Sequence, residues 1–193
     1  MKIGISGFNQ ELVGIVDFFE IDAFDLEGLS SALSSSSRVV VSANHYYFLH
    51  QDPEVFRDRI EELAEKANRS SALFCLLKLP PSFFENHSLR NTIQAFLNCW
   101  IQFSAVDVLI DLPQKIPNLE EEGFDLCRDP MWDKPKKVRC WKVHGWHAER
   151  WIRLYSSESL KELKKNMKRY RPVFLIFGHS QRVQQFRPFL ELA

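Results

Sequence analysis

The sequence contains few cysteines, and it has neither a CxxC pair nor a long apolar run. Its four cysteines, Cys75, Cys99, Cys127 and Cys140, lie in apolar surroundings, which predicts buried reduced thiols instead of a zinc site or a disulfide framework. No apolar stretch approaches the roughly 20 residues of a membrane-spanning helix. The start, MKIGISGFNQEL, lacks the apolar segment of a signal peptide. We therefore expect a cytoplasmic protein with no membrane partner.

Internal repeats are also absent, and the only low-complexity stretch is SSALSSSS at 30–37. That stretch is too short for a domain linker, and it predicts a loop. The 193 residues are 45% hydrophobic and 13% aromatic, which excludes a disordered chain and is enough to bury a core. We expect one domain over residues 1–193.

The net charge is zero, but the charges are unevenly distributed. Residues 1–133 contain 10 Lys and Arg against 21 Asp and Glu, whereas residues 134–193 contain 15 against 4. Such a split is typical of a chain with a nucleic-acid or phosphate-binding end. The alternative is that the acidic and basic parts pack together and neutralise each other.

Four of the five tryptophans, Trp132, Trp141, Trp146 and Trp151, lie close to this basic end. Aromatic rings among cations suit stacking on the bases of a single strand, so residues 134–171 predict a nucleic-acid partner. The alternative is that the lysines form the solvated face of a helix whose apolar face is Leu160, Leu163, Met167 and Tyr170, capped by Ser157.

The order of apolar runs predicts the fold class. Helical patterns follow several β-like runs, which favours a reduced TIM-like (β/α)8 barrel of α/β class. The first two crossovers, 7–17 and 24–37, are short for such a barrel, so an open α/β sheet is the alternative. The predicted strands are 3–6, 18–23, 38–44, 72–79, 105–112, 124–127, 137–144 and 172–177.

Several motifs, taken in order, resemble one family. These are IGISGF at 3–8, FFEIDAF at 18–24, LLKLPPSFF at 76–84, CRDP at 127–130 and VRCWKVHGW at 138–146. Together they are similar to the YecE-like proteins, domain of unknown function 72. The resemblance covers most of the chain and implies a TIM-like barrel, but no firm reaction. The sequence departs from the family at Ser42, where the family has Lys, and at Lys78, where it has Gln.

Strand alternation and barrel geometry together predict a site. Side chains two apart share a strand face, so Glu20 lies with Asp22, Lys142 with His144, and His179 with Leu175 and Phe177. Active sites of such barrels lie at the carboxyl ends of the strands. We expect His144 as an acid–base group, with Glu20 and Asp22 as orienting carboxylates. The expected ligand-binding residues are Lys142, Gly145, Gly178, His179, Lys78, Asn44, Asp107 and Asp111.

The ends of the last two predicted strands favour a phosphate site. Lys142, Gly145 and Gly178 offer a charge and closely approaching backbone amides, which predicts a phosphate-bearing small molecule or a nucleotide. The alternative is that these glycines only end strands. His144 and His147 form an H-x-x-H pair without a supporting acidic motif, so no metal is predicted. No cofactor or oligomeric state is indicated.

Two function classes follow from these observations. The first is a barrel whose mouth binds or hydrolyses a phosphate-bearing small molecule. The second is a non-catalytic module that holds nucleic acid or a protein through the basic, Trp-rich last third. A third possibility is a shortened scaffold without an active site.

Overall fold

The structure is a computed structural model, and it is a closed barrel of eight parallel strands. The barrel strands are β1 (Lys2–Ser6), β2 (Phe18–Asp22), β3 (Val39–Ala43), β4 (Cys75–Lys78), β5 (Val108–Asp111), β6 (Leu126–Arg128), β7 (Cys140–Val143) and β10 (Phe174–Phe177). The described residues are 1–29, 32–33, 37–48, 52–79, 89–111, 124–131, 138–144, 146–147, 150–151, 155–178 and 182–191.

Each strand of the barrel pairs with the neighbours expected for a (β/α)8 fold. The order around the barrel is β1-β10-β7-β6-β5-β4-β3-β2, and every pairing is parallel. The predicted TIM-like barrel is therefore confirmed, and the open-sheet alternative is wrong. A separate two-stranded antiparallel sheet consists of β8 (Trp146–His147) and β9 (Arg150–Trp151).

The helices lie between the strands, and the first crossovers are short, as predicted. Only a 3-10 turn at Gln10–Leu12 separates β1 from β2, and the one-turn α1 follows β2. Another 3-10 turn, His45–Tyr47, follows β3. Within the described ranges no helix has the length and apolar character of a membrane span. The helices are α1 (Leu26–Leu29), α2 (Pro53–Arg69), α3 (Leu89–Trp100), α4 (Ser157–Tyr170) and α5 (Arg182–Glu191).

Local sequence signals explain where two of these helices begin. Asp52 caps α2 by accepting hydrogen bonds from the first-turn amides, and Pro53 occupies the first helical position, where no amide hydrogen is needed. The α4 helix is capped by Ser156, whose hydroxyl accepts from the Ser159 amide at 3.2 Å. The predicted cap, Ser157, is instead the first residue of the helix.

Two apolar layers hold the barrel together. Outward-facing strand residues pack against the helices, whereas the interior is filled by one cluster of inward-facing side chains. Gly4 lies on the inner face of β1, where a Cβ atom would overlap the ring of Phe18. A glycine is needed there because the interior is packed at crystal-like density. The interior cluster is Phe18, Val40, Phe74, Leu76, Leu109, Cys127, Cys140, Phe174 and Ile176.

Candidate functional site

The inward-facing residues change from apolar to polar at the carboxyl ends of the strands. Ser6, Glu20, Asp111 and Lys142 each lie two residues beyond Gly4 or a member of the interior cluster, on the same strand face. Burying charged groups is costly unless they are paired. These side chains are paired with one another, which makes this end of the barrel the candidate site.

Lys142 is the centre of the paired groups. Its Nζ donates to Glu20 Oε1 at 2.9 Å and to Asp111 Oδ2 at 2.7 Å. Glu20 also accepts from the Ser6 hydroxyl, and its Oε1 lies 2.9 Å from Lys78 Nζ. Side chains from three other strands, β1, β4 and β7, thus contact the buried carboxylate of Glu20 on β2.

The charges of this cluster shift one another's pKa values. Burial alone would raise the pKa of Glu20, but Lys142 and Lys78 outweigh burial and lower it to about 2. Burial would likewise raise the pKa of Asp111, yet His144 and Lys142 hold it well below its usual range. Burial opposes the charge of Lys142, and Asp111 and Glu20 overcome it and raise its pKa. All three groups are therefore charged at neutral pH.

His144 lies between two carboxylates just beyond β7. Its Nε2 is 2.5 Å from Asp111 Oδ1, and its Nδ1 is 3.2 Å from Asp129 Oδ2. Its backbone amide also donates to Asp129 Oδ2, at 2.9 Å. Burial would lower the pKa of His144, but Asp111 and Asp129 outweigh burial and raise it to about 9.

The predicted acid–base role of His144 meets a geometric obstacle. At neutral pH the ring is an imidazolium, and both nitrogens contact carboxylates. Such a ring cannot accept a proton, and it can donate one to a ligand only after it leaves Asp111 or Asp129. The geometry fits a residue that positions the two carboxylates.

The predicted ligand-binding Gly178 has a packing role at this position. A Cβ atom there would lie 2.9 Å from Lys142 Cε and 3.3 Å from the Ser6 hydroxyl oxygen. A larger residue would therefore push Lys142 away from its carboxylates. Contact between Gly178 and an anion stays a prediction.

Lys78, Asp22 and Asn44 lie at the rim of the site. The side chains of Lys78 and Asp22 are 36% and 25% exposed, and Lys78 Nζ is 4.0 Å from Asp22 Oδ2. Asp22 Oδ1 accepts from the Phe24 amide at 3.1 Å. Asn44 Oδ1 accepts from the Tyr46 amide at 2.9 Å and so caps the following 3-10 turn. Asn44 thus has a structural role whether or not it contacts a ligand.

Asp107 does not belong to the group at the mouth. It precedes β5 and lies at the amino ends of the strands, where it pairs with Arg139 at 2.5 Å. Arg139 also lies 3.3 Å from Asp125, another residue that precedes its strand. Asp107 and Asp111 thus lie at opposite ends of β5, and contact between Asp107 and a ligand stays a prediction.

Two further expectations concern β10 and the following residues. The face of β10 that carries Leu175 and Phe177 is turned outward, and Phe177 packs against Phe186 of α5 with ring centroids 5.6 Å apart. The inward-facing residue at the end of β10 is therefore Gly178. His179, which alternation places with Leu175 and Phe177 and which is expected to bind the ligand, lies outside the described residues, as does Gly145.

Ser6 and Asp129 belong to the site, but they are missing from the predicted set. Ser6 lies two residues after Gly4 and at the end of its strand, so alternation could have identified it. Asp129 follows β6 within the CRDP motif. It accepts from the Met131 amide as well as contacting His144. A carboxylate directly after a buried strand was the signal for it.

The cluster of paired side chains at the mouth carries no excess positive charge. The cations are outnumbered by carboxylates, and the two most buried cations each touch two carboxylates. Among the described residues no three His, Cys, Asp or Glu side chains form a group that could hold a metal ion. The cations are Lys78, Lys142 and His144, and the carboxylates are Glu20, Asp22, Asp111 and Asp129.

Exposed aromatic rings lie at the same end of the barrel. Phe24 follows β2 and Tyr46 follows β3; they are 50% and 38% exposed, and their ring centroids are 4.9 Å apart. The guanidinium carbon of Arg59 lies 3.7 Å from the Tyr46 ring centroid. These rings offer an apolar surface beside Asp22.

The basic last third is only partly described. Trp141 is buried on the outer face of β7, 6.2 Å from the Tyr170 ring, so it is not free to stack on a base. The side chains of Trp132, Trp146 and Trp151 lie outside the described residues. Lys161, Lys165 and Lys168 are exposed on α4. Nucleic-acid or protein binding by residues 134–171 stays a prediction.

Comparison with known proteins supports the fold and leaves the family open. No protein-family model matches the chain, and no curated protein sequence matches it. The likeness to the YecE-like family therefore remains a resemblance in sequence motifs.

Two solved structures share the architecture over nearly the whole chain. One is a D-tagatose 3-epimerase-like protein, with a TM-score of 0.63 and 11% identity, covering 99% of this chain and 97% of its own. The other is the 3-keto-D-glucoside 4-epimerase YcjR from E. coli, with a TM-score of 0.61 and 12% identity, covering 98% and 97%. At such identities the likeness shows the fold alone: this chain is a (β/α)8 barrel.

Proposed function

We propose that the carboxyl-end mouth of this barrel binds a small, uncharged, hydroxyl-rich molecule of about monosaccharide size. The observation that carries the proposal is the balance of charge at the mouth. Lys142 and His144, the two buried cations of the site, are each held by two carboxylates.

An anionic ligand would have to compete with those carboxylates. Phosphate at Lys142 would displace Glu20 or Asp111 from its ammonium group, and that buried carboxylate would lose one of its charge partners. The four carboxylates and three cations of this cluster leave no excess positive charge there to attract an anion. A neutral ligand does not have to displace a carboxylate from Lys142, and it does not depend on an excess of positive charge.

Sugar hydroxyls match the groups that remain at the rim. A hydroxyl both donates and accepts, so it can pair with the Asp22 carboxylate and with the Lys78 ammonium group. The exposed rings of Phe24 and Tyr46, which follow β2 and β3, add an apolar surface at the same end of the barrel, and small-molecule sites commonly include such surfaces. The names of the two structural neighbours, a D-tagatose 3-epimerase-like protein and a 3-keto-D-glucoside 4-epimerase, refer to sugars, which agrees with this chemistry.

In this proposal His144 is a positioning residue. It keeps the carboxylates of Asp111 and Asp129 oriented, and Glu20 holds Lys142 and Lys78. Binding is proposed here without a reaction, because both ring nitrogens of the predicted acid–base group are occupied.

The sequence-based alternative is a phosphate-bearing ligand. Its support is Lys78, the most exposed of the three cations at the mouth. A site for neutral sugars should bind a free sugar better than its phosphate ester, and a phosphate site should do the opposite. One experiment with such pairs of compounds therefore distinguishes the two proposals.

The experiment is a thermal-shift screen followed by calorimetry. The probes are D-tagatose, D-fructose and methyl glucosides, each compared with its phosphate ester and with inorganic phosphate. A ligand at 100 times its Kd stabilises by about 2.7 kcal/mol, which is about 5–10 °C in Tm for a chain of this size. We expect a shift with at least one free sugar, and a smaller or no shift with its phosphate ester.

Variants locate the binding. Lys78→Gln and Asp22→Asn should weaken sugar binding, because each removes a rim group. Arg139→Gln, at the opposite end of the barrel, is the matched control and should bind normally. Shifts with phosphate esters and inorganic phosphate alone would replace this proposal with the phosphate alternative.

A further inference from the structure

The polar residues of the mouth divide into two sides. On the side of β5, β6 and β7, Asp111, Lys142 and His144 are occupied by contacts with one another and with their neighbours. On the side of β2, β3 and β4, the side chains of Asp22 and Lys78 are partly exposed. The second side is therefore the more accessible one.

Ser42 of β3 lies on this accessible side and is fully buried. Val40 belongs to the interior cluster, whereas Val39, Val41 and Ala43 pack outward, so Ser42 faces the interior. Its hydroxyl oxygen has no hydrogen-bond partner among the described residues. Most buried hydroxyls in proteins have a partner, and one without a partner destabilises the fold.

Strand register places this hydroxyl beside the rim groups. Ser42 is the parallel partner of Asp22 on one side and of Leu76 on the other. Lys78 lies two residues beyond Leu76 on the same strand face, with its Nζ 4.0 Å from Asp22 Oδ2. A hydroxyl, a carboxylate and an ammonium group thus lie on three adjacent strands.

We infer that Ser42, Asp22 and Lys78 form a subsite for two neighbouring hydroxyl groups of the ligand. This inference rests on the proposed function, and it adds which residues of the mouth contact the hydroxyl groups of the sugar. The Asp22 carboxylate accepts from one ligand hydroxyl, Lys78 donates to the other, and Ser42 Oγ gains the hydrogen bond that it lacks in the free protein. Ser42 is then a specificity-determining residue.

The inference predicts opposite effects of one substitution on stability and on binding. In Ser42→Ala the unpartnered hydroxyl is gone, so the Tm of the free protein should rise by about 2–4 °C. The affinity for the sugar that binds best in the screen should fall about tenfold, because a hydrogen bond is lost. A serine that only fills space in the interior would not show a higher Tm together with a lower sugar affinity when replaced by alanine.

Ser104→Ala is the matched control. The Ser104 hydroxyl donates to Asn68 Oδ1 at 2.7 Å and accepts from the Val106 amide at 3.1 Å, near the amino end of β5. Its loss should lower the Tm and leave sugar affinity unchanged. Asp22→Asn keeps the volume of the side chain and is a second test of the same subsite.

Monodeoxy analogues of the bound sugar complete the experiment. Removing the hydroxyl that Ser42 contacts should weaken binding to the wild type about tenfold and leave binding to Ser42→Ala unchanged. If the wild type binds a sugar and Ser42→Ala binds it equally well, the inference is wrong and the proposed function stands. If Ser42→Ala loses stability as Ser104→Ala does, the hydroxyl has a structural partner and the inference is also wrong. If no sugar binds the wild type, the proposed function and the inference both fail.

Discussion

His144 should make the stability of the barrel depend on pH in the neutral to alkaline range. The ring lies between Asp111 and Asp129, and its side chain is only 11% exposed, so solvent screens these contacts little. The two carboxylates raise its pKa in the folded protein to about 9, against an ordinary value of 6.5. The folded state therefore keeps a proton that the unfolded chain loses near neutrality.

The sign and size of the effect follow from that difference. A raised pKa stabilises the fold fully below about pH 6.5, and the stabilisation declines as the pH rises through about 9. At 1.36 kcal/mol per pH unit, the difference between 6.5 and 9 corresponds to about 3 kcal/mol. The free energy of unfolding should thus fall by about that amount between pH 6.5 and pH 9.

The assay is urea unfolding at several pH values between 6 and 10, for the wild type and for His144→Gln. The glutamine cannot titrate, so its variant should show a flatter profile, and the difference between the two profiles isolates His144. The exposed His45 provides the control: His45→Gln should keep the wild-type profile. Equal pH slopes for the wild type and His144→Gln would show that His144 does not cause the pH dependence. Titration of the His144 ring protons near pH 6.5 by NMR would show that the two carboxylates do not raise its pKa.

Two further predictions concern packing around the site and below it. Lys142→Met leaves two buried carboxylates without their shared cation, and it should lower the free energy of unfolding by about 3–5 kcal/mol, measured in urea. The same variant should lose more stability at pH 8 than at pH 4, where the carboxylates can take up protons; equal losses would contradict the argument. Gly4→Ala places a methyl group against the Phe18 ring and should destabilise the barrel by about 1–3 kcal/mol. A Tm equal to that of the wild type would show that the interior can repack.

Much of the site is accessible from the sequence because parallel strands alternate strictly. Glu20 and Asp22 share a face of β2, and Lys142 shares one with His144, as the two-residue period predicts. Each strand in question carries polar residues among apolar ones, so its inward face can be recognised. The order of strands and helices then places those faces at one end of a barrel.

The two-residue alternation does not identify the inward face of a strand when both faces are apolar. Phe174–Phe177 is apolar at every position, so alternation alone does not tell which face turns inward; the structure places Phe174 and Ile176 inside. Asp107 shows a second limit. The predicted strand begins at 105, whereas β5 begins at Val108, so Asp107 precedes the strand and lies at the amino end of the barrel.

One sequence does not show which charged side chains pair with each other across the barrel. Glu20 and Lys142 are separated by 122 positions in the chain, and their contact depends on the closure of the barrel. The composition shows only that acidic residues precede basic ones. The structure shows that some of these charges meet at the mouth, as the packing interpretation of the charge asymmetry predicts for the residues described.

The proposed ligand binding gives the paired charges at the mouth a role that the stability of the fold does not require. Well-packed apolar residues often stabilise an interior as well as, or better than, buried ion pairs do. The lower part of this barrel is filled in that way, by Phe18, Phe74, Phe174 and their neighbours. A uniform apolar filling would therefore serve the fold up to its carboxyl end. The change to Glu20, Asp111, Lys142 and Ser42 in the last layer, with one hydroxyl left unpartnered among the described residues, requires a different reason. The proposed polar, uncharged ligand supplies that reason, because its hydroxyl groups can pair with the donors and acceptors of the layer and leave its balance of charge unchanged.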